Sequence, residues 1–372
     1  MKIGLVRRGY SPTGGAEAYL RRFADSAEQA GHECVLFSGE WPAKEWPRTL
    51  RKVKHGKSPL EFALELSALD LRGACDFLFS LERVLACDCY RAGDGVHVAW
   101  LERRARFEPG WKTWWRNRRS KHHEILRLEE TMFRGEAAQS VIANSAMVKE
   151  EIIRHYGYPA DRIHVVHNGA PPALTPEASV QARAEVRKEL GLDPRDFVLL
   201  FAGTGGVRKG LKYAMQAVEE TAVSRPTLLV AGEGRAGWKS SSGRIRGVGP
   251  VRGLARWLAA ADLFLLPTQY DPFSNACLEA LAAGLPVITS TANGFAEIIE
   301  SGVEGEALEN PADVMKLARV IETWASHERR DAIRDRLREK GARFSMEANT
   351  RATLEIFERQ RGPAWMAAGV AG

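Results

Sequence analysis

Two acids eight positions apart mark the part of the chain best suited to chemistry. Asp271 opens Asp271-Pro272-Phe273-Ser274-Asn275, and Glu279 follows on the helical stretch behind it. With one acid on a loop and one on the next helix, the pair can hold different parts of one elongated ligand. Upstream, Gly203-Thr204-Gly205-Gly206-Val207-Arg208-Lys209-Gly210 leads into a helix from Leu211. Free N–H groups of a glycine-rich turn, a helix N-terminus and two cations form a diphosphate site. No Gly-Lys-Ser/Thr closes this loop, so it is not a P-loop. In the first half, Gly93-Asp94-Gly95 presents a carboxylate on a flexible loop, with His97 three residues on. Either group can act as a base or hold an acceptor hydroxyl, or be a turn-capping Asp and a surface His. Gly14-Gly15, at the turn into the first helix, lets a ligand approach the backbone; a plain tight turn is the other reading. Gly232-Glu233-Gly234-Arg235-Ala236-Gly237 is a formal G-x-G-x-x-G, which raises a nicotinamide-dependent oxidoreductase as an alternative. The segment after it, Trp238 to Arg246, reads as loop rather than helix, and no acid ends a strand roughly 20 residues on, which weakens that alternative.

The elements needed to position these groups alternate strand and helix. Leu263-Phe264-Leu265-Leu266-Pro267 is a buried strand, and a helix stopped by Gly284 and Pro286 precedes the apolar Val287-Ile288. This is the unit of a parallel α/β sheet, whose ligands bind at the carboxyl ends of the strands. Further strands are expected at Ile3–Val6, Cys34–Phe37, Phe77–Ser80, Val141–Ala143, Ile163–Val166, Phe197–Ala202 and Leu228–Ala231. Helices are expected from Ala16 to Ala30, with Tyr19, Leu20, Phe23 and Ala27 on one face, and from Ala146 to His155 behind an Asn144-Ser145 cap. Residues 41–60 and 170–182 read as loop and linker, and Gly247–Arg252 as a turn. The chain then divides into an N-terminal domain (1–170), a C-terminal domain (171–345), a C-terminal helix (346–361) crossing back to the first domain, and a tail (362–372) without order.

At 372 residues, 45% hydrophobic and 27% charged, the chain has room for two ordinary cores. Five irregularly spaced cysteines argue against a disulfide framework, and Cys87-Asp88-Cys89 lacks the spacing of a zinc pair. The absence of a signal segment and of any run able to span a membrane points to the cytoplasm. The net charge of +6 is unevenly placed. Arg103, Arg104, Arg106, Lys112, Arg116, Arg118, Arg119 and Lys121 face Glu108 alone, with Trp111, Trp114 and Trp115 among them. Cations with interfacial aromatics are what an anionic bilayer attracts; a solvated face and nucleic acid are the rival readings, and no nucleic-acid fold motif supports the last.

Taken together, the Gly-Gly turn, the Arg-Lys-Gly after the first strand of the second domain and the acid-x7-acid stretch resemble glycosyltransferase family 4. The resemblance covers residues 1–358 and is strongest to the bacterial lipopolysaccharide core glucosyltransferases, which also carry a basic membrane-contacting segment. It implies the GT-B fold, two Rossmann-like parallel-sheet domains facing a cleft, and a retaining, metal-independent hexosyl transfer. The donor would be a nucleotide-diphosphate sugar, UDP-glucose first, and the acceptor a lipopolysaccharide-core or other lipid-linked glycan. The protein would lie against the inner face of the cytoplasmic membrane through residues 103–121, without nucleic acid. By the same resemblance Glu279 would hold the ribose, and Asp271 the donor sugar, with the backbone of Phe273, Ser274 and Asn275 beside it. Arg208 and Lys209 would stabilise the leaving diphosphate next to Gly203, and Val251 would join the donor site. Gly14 and Gly15 would lie against donor phosphate and acceptor, with Asp94 near the reacting centre and His97 as its rival. The family's first acid is usually Glu; Asp271 is one methylene shorter. A non-enzymatic, membrane-associated nucleotide-sugar-binding protein is the other alternative. No Asp-x-Asp occurs, so the resemblance implies no resident metal or cofactor.

Overall fold

The computed structural model describes residues 1–12, 14–54, 58–117, 120–232, 234 and 236–361, the side chains of 115–117 excepted. It forms two compact units, one of Met1–His167 with the segment from Met346 on, the other of Asn168–Ser345.

The first unit is a seven-stranded parallel sheet of β1 (Lys2–Val6), β2 (Glu33–Ser38), β3 (Thr49–Lys52), β4 (Phe77–Ser80), β5 (Cys87–Arg91), β6 (Ala138–Ala143) and β7 (Ile163–Val165). Their order is β3-β2-β1-β4-β5-β6-β7. The strand order reverses beside β1, so the carboxyl ends of β1, β4 and β5 meet at the switch point where such sheets bind ligands. Tyr19, Leu20, Phe23 and Ala27 are buried along the helix Gly15–Gln29, the face that the periodicity picks out. The C-terminal helix Met346–Arg361 closes this core: Phe357 is fully buried, 4.2 Å from the Phe77 ring and 5.0 Å from Phe79. Burying one such side chain contributes about 1.5–3 kcal/mol.

The second unit is a six-stranded parallel sheet of β8 (Phe197–Ala202), β9 (Pro226–Ala231), β10 (Ile245–Gly249), β11 (Leu263–Leu265), β12 (Val287–Ser290) and β13 (Gly305–Leu308), ordered β10-β9-β8-β11-β12-β13. Its inner strands are apolar throughout because helices cover both faces.

Several segments differ from the sequence reading. Residues 41–60 contain β3, a polar edge strand held by backbone pairing to β2, and the start of the helix Pro59–Ser67, capped by Ser58. Asp88 does not prevent Cys87–Arg91 from being a buried strand. Its carboxylate accepts from Arg72 at 2.7 and 2.9 Å and from the Leu78 N–H at 2.7 Å, so the acid enters the core fully bonded. Part of the expected linker is helix: Thr175 accepts from the Ala178 N–H and Pro176 opens Pro176–Leu190. The glycines at 247 and 249 lie in β10 rather than in a free turn, paired with β9 through a register shift. The tail 362–372 lies outside the described residues.

Candidate active site

In the second unit the carboxyl ends of β8 and β11, neighbours in the sheet, deliver the glycine-rich and the acidic loops side by side. A single helical turn, Gly206–Lys209, separates the glycines from the helix Leu211–Glu220. Arg208 and Lys209 therefore end that turn, rather than preceding one long helix whose N-terminus meets the ligand. Gly210 is why the loops can touch. Its φ is +77°, and a Cβ there would lie 1.8 Å from the Pro267 carbonyl oxygen. The Arg208 carbonyl accepts from the Gln269 N–H at 2.8 Å and the Thr268 hydroxyl at 2.9 Å. Its guanidinium donates through Nη1 to the Tyr270 carbonyl at 3.1 Å. The Lys209 ammonium pairs with the Asp271 carboxylate, both largely withdrawn from solvent, and its stem packs against Gly203.

Asp271 is held by its backbone as well as by Lys209. Its N–H donates to the Ala292 carbonyl and its carbonyl accepts from Gly294, each at 2.9 Å. Between them Asn293, fully buried, organises the loop: Oδ1 accepts from the Ser274 N–H (3.2 Å) and the Phe295 N–H (3.1 Å), and Nδ2 donates to the Thr289 hydroxyl (2.9 Å). Ser274 caps the helix Asn275–Ala282 through the Cys277 N–H, and Phe273 is buried with its ring against Phe295. Asn168 donates through Nδ2 to the Phe273 carbonyl (3.1 Å) and to Asn275 Oδ1 (2.6 Å), fixing the other side. Glu279, about one turn along that helix, is half-buried, as is Val251 beyond the end of β10. Sequence reasoning missed Asn293, Asn168 and Thr268. The one available signal was the Asn293-Gly294 pair, a turn dipeptide after a strand.

Gly232 and Gly234 serve close packing, and Gly237 serves a left-handed turn with φ of +81°. A Cβ at Gly232 would sit 2.7 Å from the Gly203 carbonyl oxygen, and the Gly232 N–H donates to Gly249 at 2.9 Å. No helix follows among the described residues, so the dinucleotide geometry is missing; Glu233 and Arg235 lie outside them.

In the first unit Asp94 stands at the carboxyl end of β5, its side chain 53% exposed and 3.7 Å from Arg7 Nη1. Gly14 and Gly15 turn into the first helix, and Glu17 folds back over them: a Cβ on Gly14 would meet Glu17 Oε2 at 1.8 Å. Arg7 and Glu17 were not singled out from the sequence, because neither belongs to a recognisable spacing. His97 is otherwise engaged. Its Nε2 is 2.9 Å from His122 Nδ1, and burial, helped by Arg83, His122, Arg104 and Lys121, pushes its pKa down to about 3. The ring is thus neutral, while the His97 backbone N–H donates to the buried Glu129, which also takes the Tyr156 hydroxyl and Arg83. Cys87 and Cys89 are buried in β5 with thiols pushed up by desolvation, and among the described residues no group of His, Cys, Asp or Glu is arranged to hold a metal ion.

The basic segment divides. Trp111 and Trp114 stand out from the helix Gly110–Asn117, 66% and 53% exposed, with Lys112 over the Trp111 ring. Arg103 and Arg104 instead turn inward: Arg103 pairs with the buried Glu151 at 2.9 Å, and Arg104 is buried over Trp100. That corrects their assignment to an outward basic face, because Arg103 neutralises a buried carboxylate and Arg104 is itself buried. Arg118 and Arg119 lie outside the described residues. Among the described residues no helix is long and apolar enough to cross a membrane.

Residues 13–174 match the family model of Glycosyltransferase Family 4, and residues 196–327 that of Glycosyl transferases group 1. The D-inositol 3-phosphate glycosyltransferase of a Nocardioides species is 29% identical over 260 residues, 61% of this chain and 55% of the relative. The glycogen synthase of Mycobacterium tuberculosis is 30% identical over 249 residues, 61% of this chain and 57% of the relative. The chain thus spans little more than half the length of these curated relatives. Among solved structures, WaaG, a glycosyltransferase involved in lipopolysaccharide biosynthesis, superimposes with a TM-score of 0.76 at 19% identity, over 95% of this chain and 99% of that one. HepE of Anabaena, in complex with UDP and glucose, gives 0.72 at 19% identity, over 96% and 99%. At such identities the likeness speaks for the fold, GT-B with two parallel-sheet domains.

Proposed function

The chain joins a glycosyltransferase family 4 domain to a glycosyl transferases group 1 domain in the GT-B fold, and on that premise we propose that it is a retaining, metal-independent hexosyltransferase. Its donor is a nucleotide-diphosphate sugar, UDP-glucose first, and its acceptor a lipopolysaccharide-core or other lipid-linked glycan. The observation that carries this reading is the contact of Arg208 and Lys209 with the Tyr270–Asp271 loop. A glycosyl transfer breaks the bond between the anomeric carbon and the diphosphate oxygen, so negative charge grows on the leaving diphosphate. Preorganised cations at that point stabilise the transition state more than the ground state. Asp271, paired to the same lysine, brings a sugar-binding carboxylate within one side chain of the diphosphate cations. Asp94 holds the acceptor hydroxyl, whose oxygen bonds the anomeric carbon from the leaving group's face while its proton passes to the departing phosphate oxygen. Glu279 takes the ribose hydroxyls. The complex of HepE with UDP and glucose supports the donor class by analogy, and the exposed tryptophans support an anionic membrane as the place of the acceptor.

The test is a panel of nucleotide sugars incubated with a lipopolysaccharide core acceptor and read by mass spectrometry, with and without EDTA. One donor is expected to yield a product one hexose heavier, with the anomeric configuration kept and with EDTA without effect. Absence of transfer from every donor would refute the reading.

A further inference from the structure

Arg7 directly follows β1, and its guanidinium meets carboxylates from three other places in the first unit. Nε and Nη2 donate to Glu17 Oε1 at 3.1 and 3.0 Å. Nη1 lies 3.1 Å from Glu82 Oε1, just past β4, and 3.7 Å from Asp94 Oδ2, just past β5. Because β1, β4 and β5 are consecutive in the sheet, one planar fork at the switch point reaches all three. Burial opposes the charge of Arg7, but Glu82, Asp94 and Glu17 outweigh it and hold the guanidinium firmly protonated. The second oxygen of Glu17 lies over Gly14, so the same arginine also fixes the glycine turn.

We propose that Arg7 is the positioning residue of the acceptor side, aiming Asp94 while locking the Gly14–Gly15 turn through Glu17; this rests on the transferase reading above. The other groups on the cluster are engaged in their own bonds. Arg83 acts on Asp94 but is committed to Glu129 (2.9 Å) and the Gly95 carbonyl (2.9 Å). Tyr90 is kept protonated chiefly by burial, and the Arg8 N–H already donates to Glu82 at 3.2 Å. Without Arg7, Glu17, Glu82 and Asp94 would face one another as like charges, and the set would bind a proton at higher pH. An Asp94 sharing that proton no longer accepts the acceptor hydroxyl.

The test compares the full chain with Arg7→Met and Arg7→Lys. With the donor found above, Arg7→Met should lower kcat about tenfold or more at pH 7 and move the acid limb of the pH–rate profile up by about one unit. Arg7→Lys should bring the limb back but not the full rate, because an ammonium supplies charge without the fork. Both variants turning over with the kcat and acid limb of the natural protein would overturn the proposal. A carboxyl-carbon NMR titration separates this from failure of the transferase reading. If the natural protein transfers from no donor, that reading fails, and the clamp stands or falls on whether Arg7→Met moves a carboxyl titration upward. Should Arg7→Met not fold, Arg7→Lys is read the same way, an unchanged kcat and titration overturning the proposal.

Discussion

Arg208 and Lys209 are adjacent in sequence but differ in what holds them, and that predicts different phenotypes. Arg208 bonds a carbonyl, so Arg208→Ala removes charge from the diphosphate without stranding an ion. Turnover should fall by about 2–4 kcal/mol of barrier, the cost of one oxyanion donor, with little change in melting temperature. Lys209 is the partner of a buried carboxylate. Lys209→Ala should cost the same in barrier and also lower stability by about 3–5 kcal/mol, since Asp271 is left buried and unpaired. Steady-state kinetics with urea unfolding separates the two; near-normal turnover in both variants would defeat the assignment. Glu279 is half-buried on a helix whose cap is Ser274. Glu279→Ala is expected to weaken nucleotide affinity by about tenfold, the worth of one or two hydrogen bonds to a charged group, with kcat little affected. An unchanged calorimetric Kd would count against the ribose role.

At the scale of elements, the site depends on two loops kept in contact by small residues and buried amides. Gly210→Ala should prove more damaging than its size suggests. It forces an L residue to a φ of +77° and drives a methyl into the Pro267 carbonyl, so a loss of more than about 1 kcal/mol is expected. A urea midpoint equal to that of the natural protein would show that the β8 and β11 loops can part without cost. The same loops show what the chain reveals before folding. Arg208, Lys209, Asp271 and Glu279 were legible because glycine-rich turns and a helix behind an acid are local patterns. β8, β9 and β11 were legible as apolar runs. Asn293 and Asn168 were not, since an amide that bonds backbone N–H or C=O groups 19 or 105 positions away has no local signature. β5 was missed for a related reason: Asp88 looks like a strand breaker until Arg72 and the Leu78 N–H are brought to it. Arg7 and Glu17 belong to the same class, because only the sheet order places β1 beside β4 and β5.

For the molecule as a whole, the remaining question is where its acceptor is met. The net charge of +6 is small, and the structure makes its distribution less one-sided than the sequence suggests, since Arg103 and Arg104 are spent on Glu151 and Trp100. Among the described side chains of the helix Gly110–Asn117, Trp111 and Trp114 stay outward with Lys112 alongside, a face that gains little from water. Interfacial insertion of two indoles supplies the apolar part of membrane binding, and each nearby cation adds about 1 kcal/mol on an anionic surface. Binding should therefore be moderate, reversible and only partly electrostatic. In co-sedimentation, vesicles containing anionic lipid are expected to carry down the natural protein at low salt. Raising salt toward 0.5 M should weaken this binding without abolishing it, because screening leaves the indoles in place. Trp111→Ala with Trp114→Ala should remove the salt-resistant fraction. Since neither side chain is buried, melting temperature and transfer to a soluble, lipid-free core acceptor should stay unchanged. Failure of the natural protein to sediment with anionic vesicles at low salt would leave the tryptophan face without a membrane to meet.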